Sequence, residues 1–354
     1  MTEQARSRAD GTPPVRTAPV GCPSPLSRAY DTALLDLDGV VYAGGRAVGH
    51  AVESLLAARD GGMRLAYVTN NAARTPQAVA GHLTRLGIRA APEEVVTSAQ
   101  AVARLIAGQV PAGAKVLCAG GEGLEVALRE RGLCPVRSAD DDPQAVVQGY
   151  GGPGLPWGLL TEAALAVNRG VPWFASNTDL TIPSGRGIAP GNGAAVEVVR
   201  IATGGRAVPQ VAGKPQPPMH RETVLRTGAR RPLVVGDRLD TDIEGAHAGG
   251  VDSLLVLTGV TDAAGLLAAP PEHRPTYVAA DLRGLLRPQP EVTVDGDGFG
   301  CGGWRAAVRD GELRLTGAGG PVDGLRALCA AAWTRAGGGR AELSAEAALA
   351  RAGL

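Results

Sequence analysis

Short apolar segments alternate with helical patterns over most of this chain, and this alternation constrains its fold more than any other feature. Strand-like runs such as ALLDLD (33–38) and PLVVGD (232–237) are each followed by a helical pattern. One helix is predicted to begin after Thr75 as its N-cap, with Pro76 in its first turn, and to end at Gly87. A βαβα order favours an α/β fold with a doubly wound, mostly parallel sheet, in which ligands bind beyond the carboxyl ends of the strands.

Breaks in this pattern divide the chain into four predicted parts. Residues 29–97 and 212–288 carry the first alternation and are expected to form one parallel-sheet core. Residues 98–211 contain a second α/β set rich in Pro-Gly segments, which predicts an inserted α/β cap domain. Residues 291–354 predict a small C-terminal α+β domain. Residues 1–28 are rich in Pro, Arg, Ser and Thr without periodicity, which predicts a flexible tail.

Composition argues against several classes of protein. The chain has 354 residues with 35 Lys+Arg against 35 Asp+Glu, so no net charge is available to hold nucleic acid or an anionic membrane surface. Five cysteines without a CxxC pair suggest neither a disulfide framework nor a zinc site. No apolar run approaches the roughly 18 residues of a membrane span, and the amino-terminal segment lacks a signal-peptide core. A cytoplasmic protein without membrane insertion is therefore expected.

Carboxylates occur at two predicted strand ends. Asp36 and Asp38 stand two residues apart in LLDLDG, and alternation along a strand directs both side chains to one point at the sheet edge. Asp237 directly follows the run PLVVG, and Asp242 begins the next predicted helix. Oxygen ligands from separate strand ends suit Mg²⁺. Each segment by itself is also compatible with a helix cap or a solvated loop.

Two further segments supply groups that suit a phosphate. The turn Thr69-Asn70-Asn71 ends a predicted strand with a hydroxyl, backbone N–H groups and two of the five asparagines in the chain. Lys214 is one of only two lysines among 35 basic residues. This choice is informative because a guanidinium fork cannot simply replace a compact ammonium. Alone, either segment is also compatible with an ordinary turn or a surface loop.

Together, and in this order, the DxDG, TNN, GKP and GDRxxTD segments resemble the four motifs of the haloacid dehalogenase (HAD) superfamily. Their forms are similar to those of the subfamily with an inserted α/β cap, which includes NagD-like, pyridoxal and phosphoglycolate phosphatases. The resemblance covers about residues 30–288 and implies a HAD-like Rossmannoid core. The C-terminal part resembles part of an acetyltransferase fold. Acetyl transfer is not expected of this part.

The resemblance also implies a role for each matching residue. Asp36 would be the nucleophile that forms an aspartyl-phosphate, and Asp38 would be the general acid and then the general base. Mg²⁺ would be held by Asp36, Asp237 and the backbone carbonyl of Asp38, with Asp242 in support. The groups that bind the phosphoryl oxygens would belong to Thr69, Asn70, Asn71 and Lys214.

The implied activity is Mg²⁺-dependent hydrolysis of a small soluble phosphomonoester, with glycerol 3-phosphate as the expected substrate. The alternatives are phosphoglycolate or pyridoxal phosphate as substrate, or a non-catalytic phosphosugar-binding regulatory protein. In the cap loop 177–192, Asn177, Asp179 and Arg186 are expected to bind the hydroxyls of the alcohol. Pyridoxal phosphatases carry a histidine in this loop, and here Ile182 stands at about its place. The sequence leaves the formation of a homo-oligomer open.

Overall fold

In this computed structural model, the described residues are 15–184, 186–337, 339 and 343–354. The strands are β1 Thr32–Leu35, β2 Tyr42–Ala43, β3 Arg46–Ala47, β4 Arg64–Thr69, β5 Val95–Thr97, β6 Lys115–Ala119, β7 Cys134–Val136, β8 Ala145–Gln148, β9 Trp173–Ala175, β10 Thr181–Ser184, β11 Gly187–Pro190, β12 Gln210–Val211, β13 Pro232–Gly236, β14 Asp252–Val256, β15 Tyr277–Ala279, β16 Thr293–Asp295, β17 Gly298–Cys301, β18 Trp304–Arg309 and β19 Glu312–Gly317.

The helices follow the strands in the predicted alternation. They are α1 Leu26–Ala29, α2 Ala51–Asp60, α3 Pro76–Arg85, α4 Ser98–Ala107, α5 Glu122–Glu130, α6 Trp157–Asn168, α7 Asn192–Ala202, α8 Pro217–Thr227, α9 Glu244–Ala248, α10 Ala263–Leu267, α11 Pro321–Ala336 and α12 Glu346–Ala352. A π-helical turn, Leu239–Ile243, precedes α9. Among the described residues, no helix is long and apolar enough to cross a membrane.

The central sheet is parallel, and its order over the described chain is β15-β14-β13-β1-β4-β5. Strand β1 lies in the middle, where Leu35 pairs with Val235 of β13 on one side and with Tyr67 of β4 on the other. All four residues of β1 are buried, as expected for a parallel strand with helices on both faces. The carboxyl ends of β13, β1 and β4 therefore lie side by side. The predicted α/β fold with a parallel sheet is confirmed.

A second parallel sheet, β12-β9-β8-β6-β7 within the described residues, forms the cap between residues 115 and 211. Helix α4 lies between the two sheets. One apolar cluster joins Ile106 of this helix to Leu34 and Val68 of the central sheet and to Val116 and Phe174 of the cap sheet. The cap therefore shares a hydrophobic core with the central sheet. The hairpin β10–β11 is antiparallel and belongs to neither of these sheets.

The C-terminal part, as far as the structure describes it, is an antiparallel sheet, β16-β17-β18-β19, covered by α11 and α12. Helix α11 also packs against the part of the chain that carries the central sheet. The indole N–H of Trp333 donates to the backbone oxygen of Leu266 at 3.2 Å, and Arg326 donates to the backbone oxygen of Val278 and to Gln289 Oε1. A shared apolar cluster includes Leu255 of the central sheet. This part of the chain is thus joined to the core by a buried interface.

The segment 15–28 differs from the predicted flexible tail, and residues 1–14 lie outside the described residues. The N–H of Val20 donates to the backbone oxygen of Thr276 at 2.9 Å, and Cys22 exchanges backbone hydrogen bonds with Gln289 at 2.9 and 2.8 Å. Leu26 is fully buried in the main core. A segment that crosses the surface without forming a long helix or strand has no regular apolar period, so periodicity did not reveal this packing.

Candidate active site

The candidate site lies at the carboxyl ends of β13, β1 and β4. Asp36 directly follows β1, and its N–H donates to the backbone oxygen of Val235 at 2.8 Å, which extends the pairing of β1 with β13 by one residue. Asp237 directly follows β13, and Thr69 is the last residue of β4. Parallel strands end at the same edge of their sheet, so groups from distant parts of the chain meet there.

Lys214 is the positive charge at this edge. Its Nζ lies 2.6 Å from Asp36 Oδ1, 2.7 Å from Asp242 Oδ1 and 3.3 Å from the backbone oxygen of Val68. The three N–H groups of an ammonium are thereby matched by three acceptors. Burial acts to lower the pKa of Lys214, but the two carboxylates outweigh this effect and raise the pKa above its usual value. The ammonium therefore stays charged.

Three carboxylates converge on the same point. Asp36, Asp237 and Asp242 each contribute an oxygen that lies within 4.8 Å of the others. Burial, together with repulsion from Asp242, raises the pKa of Asp237 to about 6. Burial also raises the pKa of Asp242 to about 6, against the opposing charge of Lys214, and it raises the pKa of Asp36. Three ionised carboxylates beside one ammonium leave an excess of negative charge, which a cation bound at this point would balance.

Two observations show that this cluster fits a divalent cation. Oδ2 of Asp237 accepts from the N–H of Val260 at 2.7 Å, whereas its buried Oδ1 has no hydrogen-bond partner among the described residues. A buried carboxylate oxygen without a partner destabilises the folded state unless a cation or a hydrogen-bond donor binds it. Glycines leave the space around this carboxylate, since a Cβ on Gly39 would lie 2.5 Å from Asp237 Oδ2 and one on Gly259 would overlap the same atom. Mg²⁺ would be held by oxygens of Asp36 and Asp237, the backbone carbonyl of Asp38 and, in support, Asp242.

Asp38 lies at the solvent-exposed mouth of the site. Partial loss of hydration, followed by the charge of Asp237, raises its pKa, while the charge of Arg74 opposes this rise. Tyr42 forms an isolated β-bridge with Asp38, and the Tyr42 ring packs edge-on against His82 with 5.0 Å between ring centroids. A carboxyl with a raised pKa suits a group that must give a proton to a leaving oxygen.

Side chains of the Thr-Asn-Asn turn bond mainly to the protein itself. Thr69 is buried, and its Oγ1 accepts from the N–H of Asn71 at 3.1 Å. Asn71 Oδ1 accepts from the N–H of Ala73 at 2.9 Å. The side-chain amide of Asn70 bonds the main chain of Lys214, so the predicted contact of Asn70 with a phosphoryl oxygen would have to come from its own main chain. Hydrogen bonds within the protein therefore fix the shape of this turn without a ligand.

Three cap residues were predicted to bind the substrate, and in the structure they lie in three different environments. Asn177 is 3 % exposed, its Nδ2 donates to the backbone oxygen of Asn70 at 2.7 Å, and its Oδ1 accepts from the N–H of Asp179 at 3.1 Å. This placement differs from the predicted role, because both polar ends of Asn177 bond to the protein. Asp179 lies just before the β10–β11 hairpin, and burial raises its pKa. Arg186 lies in the exposed turn of that hairpin.

Sequence reasoning did not assign several charged and polar neighbours of the site. Arg238 binds both oxygens of Asp240, at 3.0 and 2.7 Å, and its charge acts on Asp179. The charge of Arg74 acts in the same way on Asp38, and Tyr42 lies beside Asp38. The position of Arg238 directly after Asp237 was the one available signal. An arginine is otherwise uninformative in a chain in which nearly every basic residue is one.

Residues 33–134 match the family model of haloacid dehalogenase-like hydrolases, and residues 211–285 match a second model of HAD-like hydrolases. Residues 301–354 match a GCN5-related N-acetyltransferase-like domain. The chain is 45 % identical over 318 residues to D-glycerol 3-phosphate phosphatase of Mycobacterium tuberculosis, which covers 87 % of each chain. It is 39 % identical over 236 residues to an acid sugar phosphatase of Staphylococcus aureus, which covers 66 % of this chain and 89 % of the relative.

Solved structures agree with these relatives. A glycerol phosphate phosphatase from Mycobacterium tuberculosis, crystallised with magnesium, superimposes with a TM-score of 0.84 at 43 % identity, over 93 % of this chain and 98 % of that chain. A p-nitrophenyl phosphatase from Archaeoglobus fulgidus superimposes with a TM-score of 0.66 at 31 % identity, over 73 % and 98 %. The fold is that of a haloacid dehalogenase-like hydrolase, and this chain belongs to that family. Its similarity to the mycobacterial phosphatase extends through the cap into the C-terminal domain.

Proposed function

We propose that this chain is a Mg²⁺-dependent phosphomonoesterase whose substrate is glycerol 3-phosphate. The observation that carries the proposal is the Lys214 ammonium, which bonds Asp36 and Asp242 beside the unpartnered oxygen of Asp237. A phosphate dianion repels a carboxylate nucleophile, so the site needs positive charge where the two meet. Lys214 and a divalent cation would provide that positive charge at fixed positions, which mobile water molecules cannot do.

Each step of the hydrolysis uses a group at this edge of the sheet. A carboxylate oxygen of Asp36 attacks phosphorus, and the bond to the ester oxygen breaks. Asp38 gives its proton to that leaving oxygen and then takes a proton from the water that cleaves the aspartyl-phosphate. The 2.6 Å bond from Lys214 orients Asp36 and offsets the charge on the phosphoryl oxygens. Bound Mg²⁺ supplies further stabilisation of the charge on the transferring group.

Similarity over 87 % of each chain to D-glycerol 3-phosphate phosphatase supports the named substrate, since this match includes the cap, which we expect to contact the alcohol. Asp179 is a cap carboxylate on which the charge of Lys214 acts. We propose that it binds a hydroxyl of the glycerol unit, and that Arg186 contributes from the hairpin.

All five cysteines are free, which supports the expected cytoplasmic location.

A phosphate-release assay over a panel of esters, with and without Mg²⁺, tests this proposal. Glycerol 3-phosphate is expected to exceed propyl phosphate, phosphoglycolate and pyridoxal phosphate in kcat/KM. A site built to pair hydroxyls is left with unsatisfied polar groups by an analogue that lacks them. An Asp36→Asn variant is the control for contaminating phosphatases. No release from any ester in Mg²⁺ would refute the activity, and equal rates for propyl phosphate and glycerol 3-phosphate would refute the substrate.

A further inference from the structure

We propose that Asn70 is a positioning residue whose side-chain amide clamps the main chain of Lys214 and so places the Lys214 ammonium at Asp36. This inference deepens the proposed function and rests on it. Asn70 Oδ1 accepts from the N–H of Lys214 at 2.8 Å, and Asn70 Nδ2 donates to the carbonyl oxygen of Lys214 at 3.1 Å. One amide thus bonds both main-chain groups of a single residue, as a neighbouring strand would do.

Lys214 needs such a partner because it lies in a loop. Strand β12 ends at Val211 and helix α8 begins at Pro217, so no regular element of this segment pairs with the lysine main chain. The preceding residue is Gly213, where a Cβ would lie 2.6 Å from Asn70 Oδ1 and would prevent this close approach. A main chain held at both polar groups limits where the ammonium at the end of the side chain can be.

The cap and helix α4 in turn hold Asn70. Its backbone oxygen accepts from Asn177 Nδ2 at 2.7 Å and from Ser98 Oγ at 2.6 Å, and both of these donors belong to buried residues. Its Nδ2 also donates to Asp179 Oδ2 at 3.2 Å. Side chains of the cap therefore contribute to the position of Lys214 through one intermediate residue.

These contacts distinguish positioning from direct binding of the substrate. The two hydrogens of Asn70 Nδ2 are directed at Lys214 and Asp179, and Oδ1 is directed at the N–H of Lys214. The amide therefore has no donor left for a phosphoryl oxygen. Loss of the Asn70 side chain should act through Lys214, and it should have no further effect once the lysine is gone.

A double-mutant cycle tests this dependence with p-nitrophenyl phosphate in saturating Mg²⁺. Asn70→Ala is expected to lower kcat/KM by about 30-fold, mainly through kcat, because a misplacement near 1 Å can cost up to about 100-fold. Lys214→Ala is expected to lower it by about 1,000-fold. The double variant should match Lys214→Ala within about threefold, since groups that act as a unit are not additive.

The matched control is Asn168→Ala, which removes one amide hydrogen bond, 3.4 Å to the backbone oxygen of Ala202, from the surface of the cap. It should change kcat/KM less than about twofold. Where Asn70→Ala does not fold, Asp179→Ala enters the same cycle, because it removes only one contact of Asn70. Its loss of kcat/KM should be smaller and should likewise vanish in the Lys214→Ala background.

The possible failures are distinguishable. Losses that multiply in the double variant would show that Asn70 acts independently of Lys214 and would overturn the proposal. A rise in KM at unchanged kcat would do the same, since it indicates uniform binding by Asn70 itself. A wild-type protein that hydrolyses no ester, or a Lys214→Ala variant as active as wild type, would refute the proposed function instead.

Discussion

Replacing Lys214 by arginine keeps the positive charge at the site but changes its shape. The ammonium donates from a single atom to Asp36 Oδ1, Asp242 Oδ1 and the Val68 carbonyl, at 2.6, 2.7 and 3.3 Å. A guanidinium is planar and spreads its donors over three nitrogens, so it cannot serve three acceptors gathered around one point. The lysine side chain is only 12 % exposed, which leaves little space for the larger group.

The cost follows from the contacts that would be lost. Removing one preorganised donor from the charge that develops in a transition state costs about 100- to 1,000-fold in kcat, or about 2.7–4 kcal/mol. Lys214→Arg misplaces at least one of its contacts, to Asp36 or to the phosphoryl group, so we expect kcat/KM to fall by at least about 100-fold. Overpacking in the buried site should also lower the free energy of unfolding by about 1–3 kcal/mol.

Steady-state phosphate release in Mg²⁺ measures the kinetic loss, and thermal unfolding shows whether the variant is folded. The matched control is Lys115→Arg at the other lysine, which is exposed and donates to the backbone oxygen of Asp141 at 2.9 Å. This control should retain kcat/KM within about twofold. A folded Lys214→Arg variant with kcat/KM within about threefold of wild type would refute the role given to the ammonium.

Three further predictions follow from the same contacts. Asp36→Asn should leave less than about a hundredth of the wild-type rate while glycerol 3-phosphate still binds, as measured by calorimetry; a higher rate would contradict the covalent mechanism. Gly259→Ala places a Cβ against Asp237 Oδ2 and should weaken Mg²⁺ binding at least about tenfold, and unchanged affinity in calorimetry would argue against Asp237 as a ligand. Trp333→Ala removes a fully buried indole and should lower the free energy of unfolding by about 3–5 kcal/mol in denaturant titrations, with kcat/KM unchanged; a folded but inactive variant would place part of the site in the C-terminal domain.

Local patterns were sufficient for the strands that carry the site. The runs 33–38 and 232–237 predicted β1 Thr32–Leu35 and β13 Pro232–Gly236, because strands buried on both faces show as continuous apolar runs. Helix α3 begins at Pro76 with Thr75 as its N-cap, and Thr75 Oγ1 accepts from the N–H of Ala78 at 3.2 Å. Capping and apolar periodicity depend on neighbouring residues only, so a sequence displays them directly.

Helix α4 was not predicted, although Thr97 and Gln100 form a capping box at its start. The helix lies between two sheets, and seven of its ten residues are buried. Its burial results from the docking of the cap onto the core, which is a tertiary event.

The sequence by itself determined the chemical groups of the site, namely the strand-end carboxylates, the lysine in a chain of arginines and the Thr-Asn-Asn turn. Only the tertiary structure decided which partner each group has. Asn70 offers the same amide whether it binds a phosphate or the main chain of Lys214, which is 144 residues away along the chain. Hydrogen bonds and ion pairs act over a few ångströms in space, and sequence separation does not encode those distances. The fold therefore turned an amide that could have been a ligand into the support of the lysine.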